Sequence, residues 1–144
     1  MRDNQPLKAN GFANVIPFIS DLNARCVSAT NGQAEVRLAL LPRHLNSLDM
    51  AHGGVTMAML DVSMAVAAGC APERDGSPTA GTTITIEMKT TFLQPGRGEL
   101  VARSSCIHRT RSMAFCEGEI RDAANTLVAR GNGTFKYVRP KNLE

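Results

Sequence analysis

The stretch Gly53-Gly54-Val55-Thr56-Met57-Ala58-Met59-Leu60-Asp61-Val62-Ser63-Met64-Ala65-Val66-Ala67-Ala68-Gly69-Cys70-Ala71 decides the fold. It is rich in Ala, Met and Leu and contains no Pro, which favours a helix. At 1.5 Å per residue it predicts one helix of about five turns. Only Thr56, Asp61 and Ser63 are polar, and apolar residues lie all round the cylinder. A helix without a polar face must be buried on most sides. In a small domain a single helix achieves this when a sheet wraps around it.

The flanking segments supply that sheet. Two extended runs, 25–30 and 34–40, are separated by Asn31-Gly32, a strong hairpin signal. In the second run Ala34, Val36, Leu38 and Leu40 alternate with Glu35, Arg37 and Ala39, and Pro42 ends it. Upstream, Phe12, Val15, Ile16 and Ile19 recur at helical spacing and predict a short flanking helix over 13–21. Beyond a turn-rich stretch at 72–81, strands are expected at about 82–92, 99–109, 113–121 and 126–138, the last three showing clear alternation. Short loops join them, so the sheet is antiparallel. The fold class is α+β: one long central helix wrapped by a curved antiparallel sheet.

At 144 residues and 15.4 kDa the chain is long enough for one domain, read as 1–144 with an ordered core at about 12–138 and frayed ends at 1–11 and 139–144. Its 43% hydrophobic and 20% charged residues are those of a folding chain. The net charge is +3, the basic residues form no run of five, and there is no Trp, which argues against a nucleic-acid partner. No apolar run reaches the ~20 residues needed to span a bilayer, and the start lacks a signal peptide's apolar centre. The expected location is the cytoplasm, with no membrane partner. Cys26, Cys70, Cys106 and Cys116 show no Cys-x-x-Cys spacing and are expected to be reduced packing residues.

Candidate chemistry concentrates between Asn46 and Asp61. The turn His52-Gly53-Gly54 opens the long helix, where free amides and a partial positive charge suit an oxyanion or carbonyl oxygen. A tight turn into crowded packing explains the glycines equally well. Asp61 stands mid-helix among apolar neighbours, where an unpartnered carboxylate is costly. It reads as a general base or nucleophile, against the alternatives of a loop cap or a solvated face. His52 and Asp61 are nine residues apart, about 180° of rotation and about 13.5 Å of rise on an ideal helix. If both serve one reaction, a two-fold dimer in which each subunit supplies one of them is the simplest geometry. His44, His52 and His108 match no zinc spacing, so no metal is expected. Ser63 reads as packing. The turn Arg109-Thr110-Arg111-Ser112 is either a solvated hairpin or, with Arg97, a holder of phosphate oxygens.

Asn46, then His52-Gly53-Gly54 six residues on, then a helical Asp61 nine residues from the His, resembles the PaaI-like hotdog-fold acyl-CoA thioesterases over about residues 12–138. The segments Thr85-Ile86-Glu87-Met88 with Phe92-Leu93-Gln94-Pro95, and Arg111-Ser112-Met113-Ala114-Phe115, also resemble that family's strands. The resemblance implies hydrolysis of aryl thioesters such as phenylacetyl-CoA, or of short to medium acyl-CoA. In it the Gly53 N–H polarises the carbonyl, Asn46 and His52 orient thioester or water, and Asp61 comes from the partner subunit. Thr85 then assists the water, and Gly54, Arg97, Arg109, Arg111 and Ser112 are candidate coenzyme A contacts. It implies no cofactor, coenzyme A being part of the substrate, and a homodimer or a dimer of dimers. Two departures stand out: Asp49 where the family often has Gly, and Phe92 where it often has Tyr. A non-catalytic acyl-CoA-binding module and a hydratase or dehydratase on the same fold are the alternatives.

Overall fold

The computed structural model describes residues 11–76 and 82–138. The expected frayed ends, Gly11 apart, and residues 77–81 of the turn-rich stretch lie outside the described residues. In chain order the elements are α1 (Pro17–Leu22), β1 (Arg25–Thr30), β2 (Gln33–Ala39), a 3₁₀ turn (Pro42–His44), α2 (Gly53–Gly69), β3 (Thr82–Phe92), β4 (Glu99–Arg109), β5 (Met113–Arg121) and β6 (Leu127–Val138). The six strands form one antiparallel sheet in the order β1-β2-β4-β5-β6-β3. This is the hotdog arrangement, a helix held in a curved sheet.

The elements follow local chemistry closely. Asn31 (φ 48°) and Gly32 (φ 76°) are both left-handed, as a two-residue turn matched to strand twist requires. The first helix starts at Pro17, later than the spacing of its apolar residues suggests. Proline lacks an N–H and is accommodated in the first helical turn, which sets the start there. Helix α2 ends at Gly69 and Cys70 caps it, two residues before the expected end.

Nine of the 17 residues of α2 are buried, among them Met59, Leu60, Met64, Ala67 and Ala68. They pack on Val36, Leu38, Leu100, Ala102, Ala114, Ile120 and Phe135 from the inner face of the sheet. Gly131 of β6 allows a close approach, since a Cβ there would stand 3.2 Å from Leu60 Cδ1. Ser63, fully buried, donates its hydroxyl to Ser104 at 2.8 Å, so it packs the helix onto β4.

The outer face is polar. Glu35 bonds Arg37 (2.6 Å) and Arg103 (2.9 Å), Arg37 reaches Glu99 (3.3 Å), and Glu119 bonds Arg121 (2.9 Å). Burial acts to raise the Glu35 carboxyl, but the two guanidinium groups outweigh it and hold the group below its ordinary range. A concavity of about 600 Å³ lies on this face, lined by Glu35, Arg103, Glu117, Glu119, Arg130 and Asn132. The sheet separates it from α2.

Strand register gives the fold two distinct ends. Ala39, Glu99, Arg121, Leu127 and Phe92 lie at the end where α2 begins. The β1–β2 turn, Arg109, Met113, Val138 and Thr82 lie at the end where it finishes.

Candidate active site

The loop before α2 is built on Asn46. Its Oδ1 accepts the N–H groups of Leu48 (2.9 Å) and Met50 (3.2 Å), while its own N–H donates to the Met50 carbonyl (2.8 Å). These bonds close the loop and turn the side-chain NH₂ away from the work of folding it. Asp49 takes φ 56°, the left-handed conformation that a glycine would supply and that Asp tolerates. The loop is tied to the β3–β4 connection, where the Ala51 N–H donates to the Gly96 carbonyl (3.0 Å) and Arg97 donates to the Asp49 carbonyl (3.0 Å).

His44 anchors the other side of this loop. Only 1% exposed, it accepts the Leu41 N–H at Nδ1 (3.0 Å), and its carbonyl accepts the His52 N–H (2.8 Å). Burial, with Arg43 beside it, pushes the imidazole below its ordinary range and keeps it neutral. Spacing alone assigns His44 no role, since it fits no zinc pattern with His52 and His108. Its place in holding the His52 backbone depends on the 3₁₀ turn, which Pro42 signals.

His52 is the N-cap of α2. Its Nδ1 accepts the Gly54 N–H (2.9 Å), and its carbonyl accepts the N–H groups of Val55 (2.9 Å) and Thr56 (3.1 Å). Among the first-turn amides, the Gly53 N–H alone makes no hydrogen bond to a described residue. It stands at the positive end of a 17-residue helix as a donor for an incoming oxygen. The Phe92 ring flanks it, 3.5 Å from where a Gly53 Cβ would be. With Nδ1 accepting, a neutral His52 carries its proton on Nε2 and can donate it.

Asp61 lies eight residues further on, about two turns and about 12 Å along the axis. It is half-buried, and its Oδ1 accepts the Thr85 hydroxyl at 2.6 Å. One turn beyond it, the Thr83 hydroxyl reaches the Ala65 carbonyl (3.4 Å). Thr85 and Thr83 share the helix-facing side of β3, so this strand lies alongside α2 and partners the carboxylate directly. The cost of placing a carboxylate mid-helix is thus offset by a charge-assisted hydrogen bond and partial exposure.

The structure brings Asn46, His52, Gly53, Gly54 and Arg97 together at the start of α2, and pairs Asp61 with Thr85 two turns along. Arg109, Arg111 and Ser112 sit at the opposite end of the sheet, about 25 Å away by helix length. The Arg109 side chain is 9% exposed. It donates to the Ala71 carbonyl (2.8 Å), approaches Glu73 (3.8 Å) and lies 4.0 Å from the Tyr137 ring centre. It therefore caps the C-terminal end of α2 within the chain. Arg111 and Ser112 are exposed on the β4–β5 turn, where the Ser112 carbonyl accepts the Tyr137 N–H (2.8 Å). Among the described residues no helix is long and apolar enough to cross a membrane.

Chemically, an open amide at a helix N-terminus stabilises a developing oxyanion, and a carboxylate partnered by a hydroxyl serves as base or nucleophile. The family model described as the thioesterase superfamily matches residues 48–129, which take in the helix start, α2 and Thr85. The chain is 26% identical over 131 residues to a putative esterase of Halobacterium salinarum, covering 85% of each. It is 27% identical over 130 residues to acyl-coenzyme A thioesterase 13 of Homo sapiens, covering 88% of this chain and 85% of the human protein. Among solved structures, a conserved protein of Pseudomonas aeruginosa superposes with a TM-score of 0.77 at 27% identity, covering 86% and 95% of the two chains. The PaaI protein from the phenylacetic acid degradation operon of E. coli superposes with a TM-score of 0.74 at 20% identity, covering 84% and 83%, a likeness of fold.

Proposed function

The chain belongs to the thioesterase superfamily and is a thioester hydrolase, and from that premise we propose that it cleaves acyl-CoA thioesters to the free acid and coenzyme A. The observation that carries this reading is the Gly53 N–H, which no described residue accepts, on the same helix as the Asp61–Thr85 pair. The Gly53 amide donates to the thioester carbonyl oxygen and grows stronger as negative charge develops there. The Asn46 NH₂ group and the His52 Nε2 proton orient the thioester or the water. Asp61 of the partner subunit either takes a proton from the attacking water or attacks the carbonyl carbon itself, with coenzyme A leaving as its thiolate. A single turnover in ¹⁸O-water that leaves label in the Asp61 carboxylate identifies direct attack, because only an anhydride hydrolysed at the aspartyl carbon puts it there.

The separation of about 12 Å between Gly53 and Asp61 supports a site shared with a partner subunit. Strand β3 pairs with β6 on one side, and among the described residues nothing pairs with the other edge of its 11 residues, where Ile84 is 42% and Ile86 51% exposed. A long apolar edge is an association surface. A two-fold axis near Met88, midway between Thr85 beside Asp61 and Phe92 beside Gly53, would set the His52-Gly53 turn of one subunit level with Asp61 of the other. Ile86→Arg is expected to give monomers in light scattering and to lose hydrolysis. An active monomer would sink the shared site.

The acyl group is assigned to an apolar cavity of about 320 Å³ lined by Phe12, Ile16, Val62, Ala65, Val66 and Thr83, among others. Ala65 lies one turn from Asp61, and the volume suits an aryl or short to medium acyl group. Arg111 and Ser112 on their exposed turn, with Arg97 at the other end, remain the candidates for the phosphates of coenzyme A.

A thiol-release assay over short-chain, medium-chain and aryl-CoA thioesters tests the proposal, with the protein's own four cysteines subtracted. Turnover of no acyl-CoA above the rate of the Asp61→Asn variant would overturn it. Thr85→Val is expected to lower kcat about tenfold, the loss of one hydrogen bond to a charged group. Thr85→Ser should restore it, because only the hydroxyl is needed.

A further inference from the structure

Cys70, Cys106 and Cys116 gather at the end of the fold opposite Gly53, and Cys26 lies near Cys70. Cys26 lies on β1, Cys70 caps α2, and Cys106 and Cys116 lie on β4 and β5. Cys70 is near enough to Cys26, Cys106 and Cys116 for their charges to interact. Within this group Cys106 and Cys116 are direct cross-strand partners. The Cys106 N–H donates to the Gly32 carbonyl in the β1–β2 turn (2.7 Å), so its peptide groups point away from β5. The pair is therefore of the non-hydrogen-bonded kind, in which Cα atoms stand about 4.5 Å apart and side chains are closest. That separation lies within the range that a disulfide spans. The Cys106 thiol donates to the His108 carbonyl (3.5 Å), and the Cys116 thiol lies beside it on the facing strand. Cys106 is partly exposed whereas Cys116 is 1% exposed.

We propose that Cys106 and Cys116 form a dithiol modification site, which closes to an intrachain disulfide by exchange with small-molecule disulfides of the glutathione class. Cys106, the reachable sulfur, attacks one sulfur of the small disulfide and expels one thiolate. Cys116 then attacks the Cys106 sulfur and expels the second. The two protons of the protein thiols end on the two released thiols, and the small disulfide takes up the two electrons. The surroundings favour this order of attack. The neighbouring Cys116 thiol, with Arg109 on β4 nearby, lowers the Cys106 thiol to about 7, against the effect of burial. Cys116 is pushed up by its Cys106 neighbour and by burial. The other titratable groups facing the pair are Cys70 from α2 and Tyr137 from β6, the latter raised to about 12 by its burial. Cys106 is thus the attacking sulfur and Cys116 the resolving one.

The full chain is treated with oxidised glutathione, alkylated and digested with trypsin. The expected product is peptide 104–109 joined to peptide 112–121, released by dithiothreitol. The Cys26→Ser/Cys70→Ser double variant should form the same link, and Cys116→Ala should instead accumulate a glutathione adduct on Cys106. A link through Cys26 or Cys70 in its place, a persistent adduct on Cys106 in the unaltered chain, or no oxidation of this pair would each overturn the proposal.

Discussion

Asp61→Asn is expected to reduce kcat by about 10²- to 10⁴-fold, the range spanned by a positioned general base. KM should change little, because the amide has the shape of the carboxylate and its oxygen still accepts the Thr85 hydroxyl. A fall in kcat and kcat/KM by the same factor identifies an interaction made only in the transition state. The melting temperature should stay within a few degrees, since the side chain is half-buried and keeps its partner. Steady-state kinetics on the best acyl-CoA of the panel, with thermal unfolding on the same samples, make the check. A loss smaller than tenfold would remove Asp61 from the chemistry.

Gly53→Pro should cost about 10²- to 10³-fold in kcat, the contribution of one oxyanion donor, while leaving the fold in place. Gly53 is the first residue of α2, the helical position at which proline is best tolerated, and the N–H it would lose makes no bond within the described chain. The preceding residue, His52, already has φ −62° and ψ 137°, the extended conformation that a following proline demands. Gly53→Ala is the control. It keeps the N–H, and its Cβ would meet Phe92 at 3.5 Å, an ordinary contact. If the proline variant is as active as the alanine variant, the amide does not serve the oxyanion.

How much of the molecule could be read in advance depends on the range of the forces involved. The α2 helix and the six strands are legible because hydrophobic periodicity is a local property. A helix apolar on all sides has few ways to be buried. The Asn31-Gly32 turn is legible for the same reason, its two positive φ angles being available to these residue types. Thr85 illustrates the other case. Its place beside Asp61 comes into view only through a family resemblance, because a strand 24 residues away must be laid along the helix before the 2.6 Å bond exists. Arg109 and Arg97 look alike as isolated cations. One spans the end of a helix beneath a tyrosine ring, and the other braces the Asp49 carbonyl near the reaction site.

The sequence by itself determined the element order and the single wrapped helix, and it placed the candidate site residues between Asn46 and Asp61. Each follows from propensity, periodicity or short-range spacing. Only the tertiary structure decided the strand order, in which β3 leaves its chain neighbour to pair with β6 at the sheet's edge. It alone showed that no described residue accepts the Gly53 amide while His52 satisfies Gly54, and that Cys106 faces Cys116. These are pairings between distant segments, set by closure of a common core and by strand register, which local residue patterns do not encode.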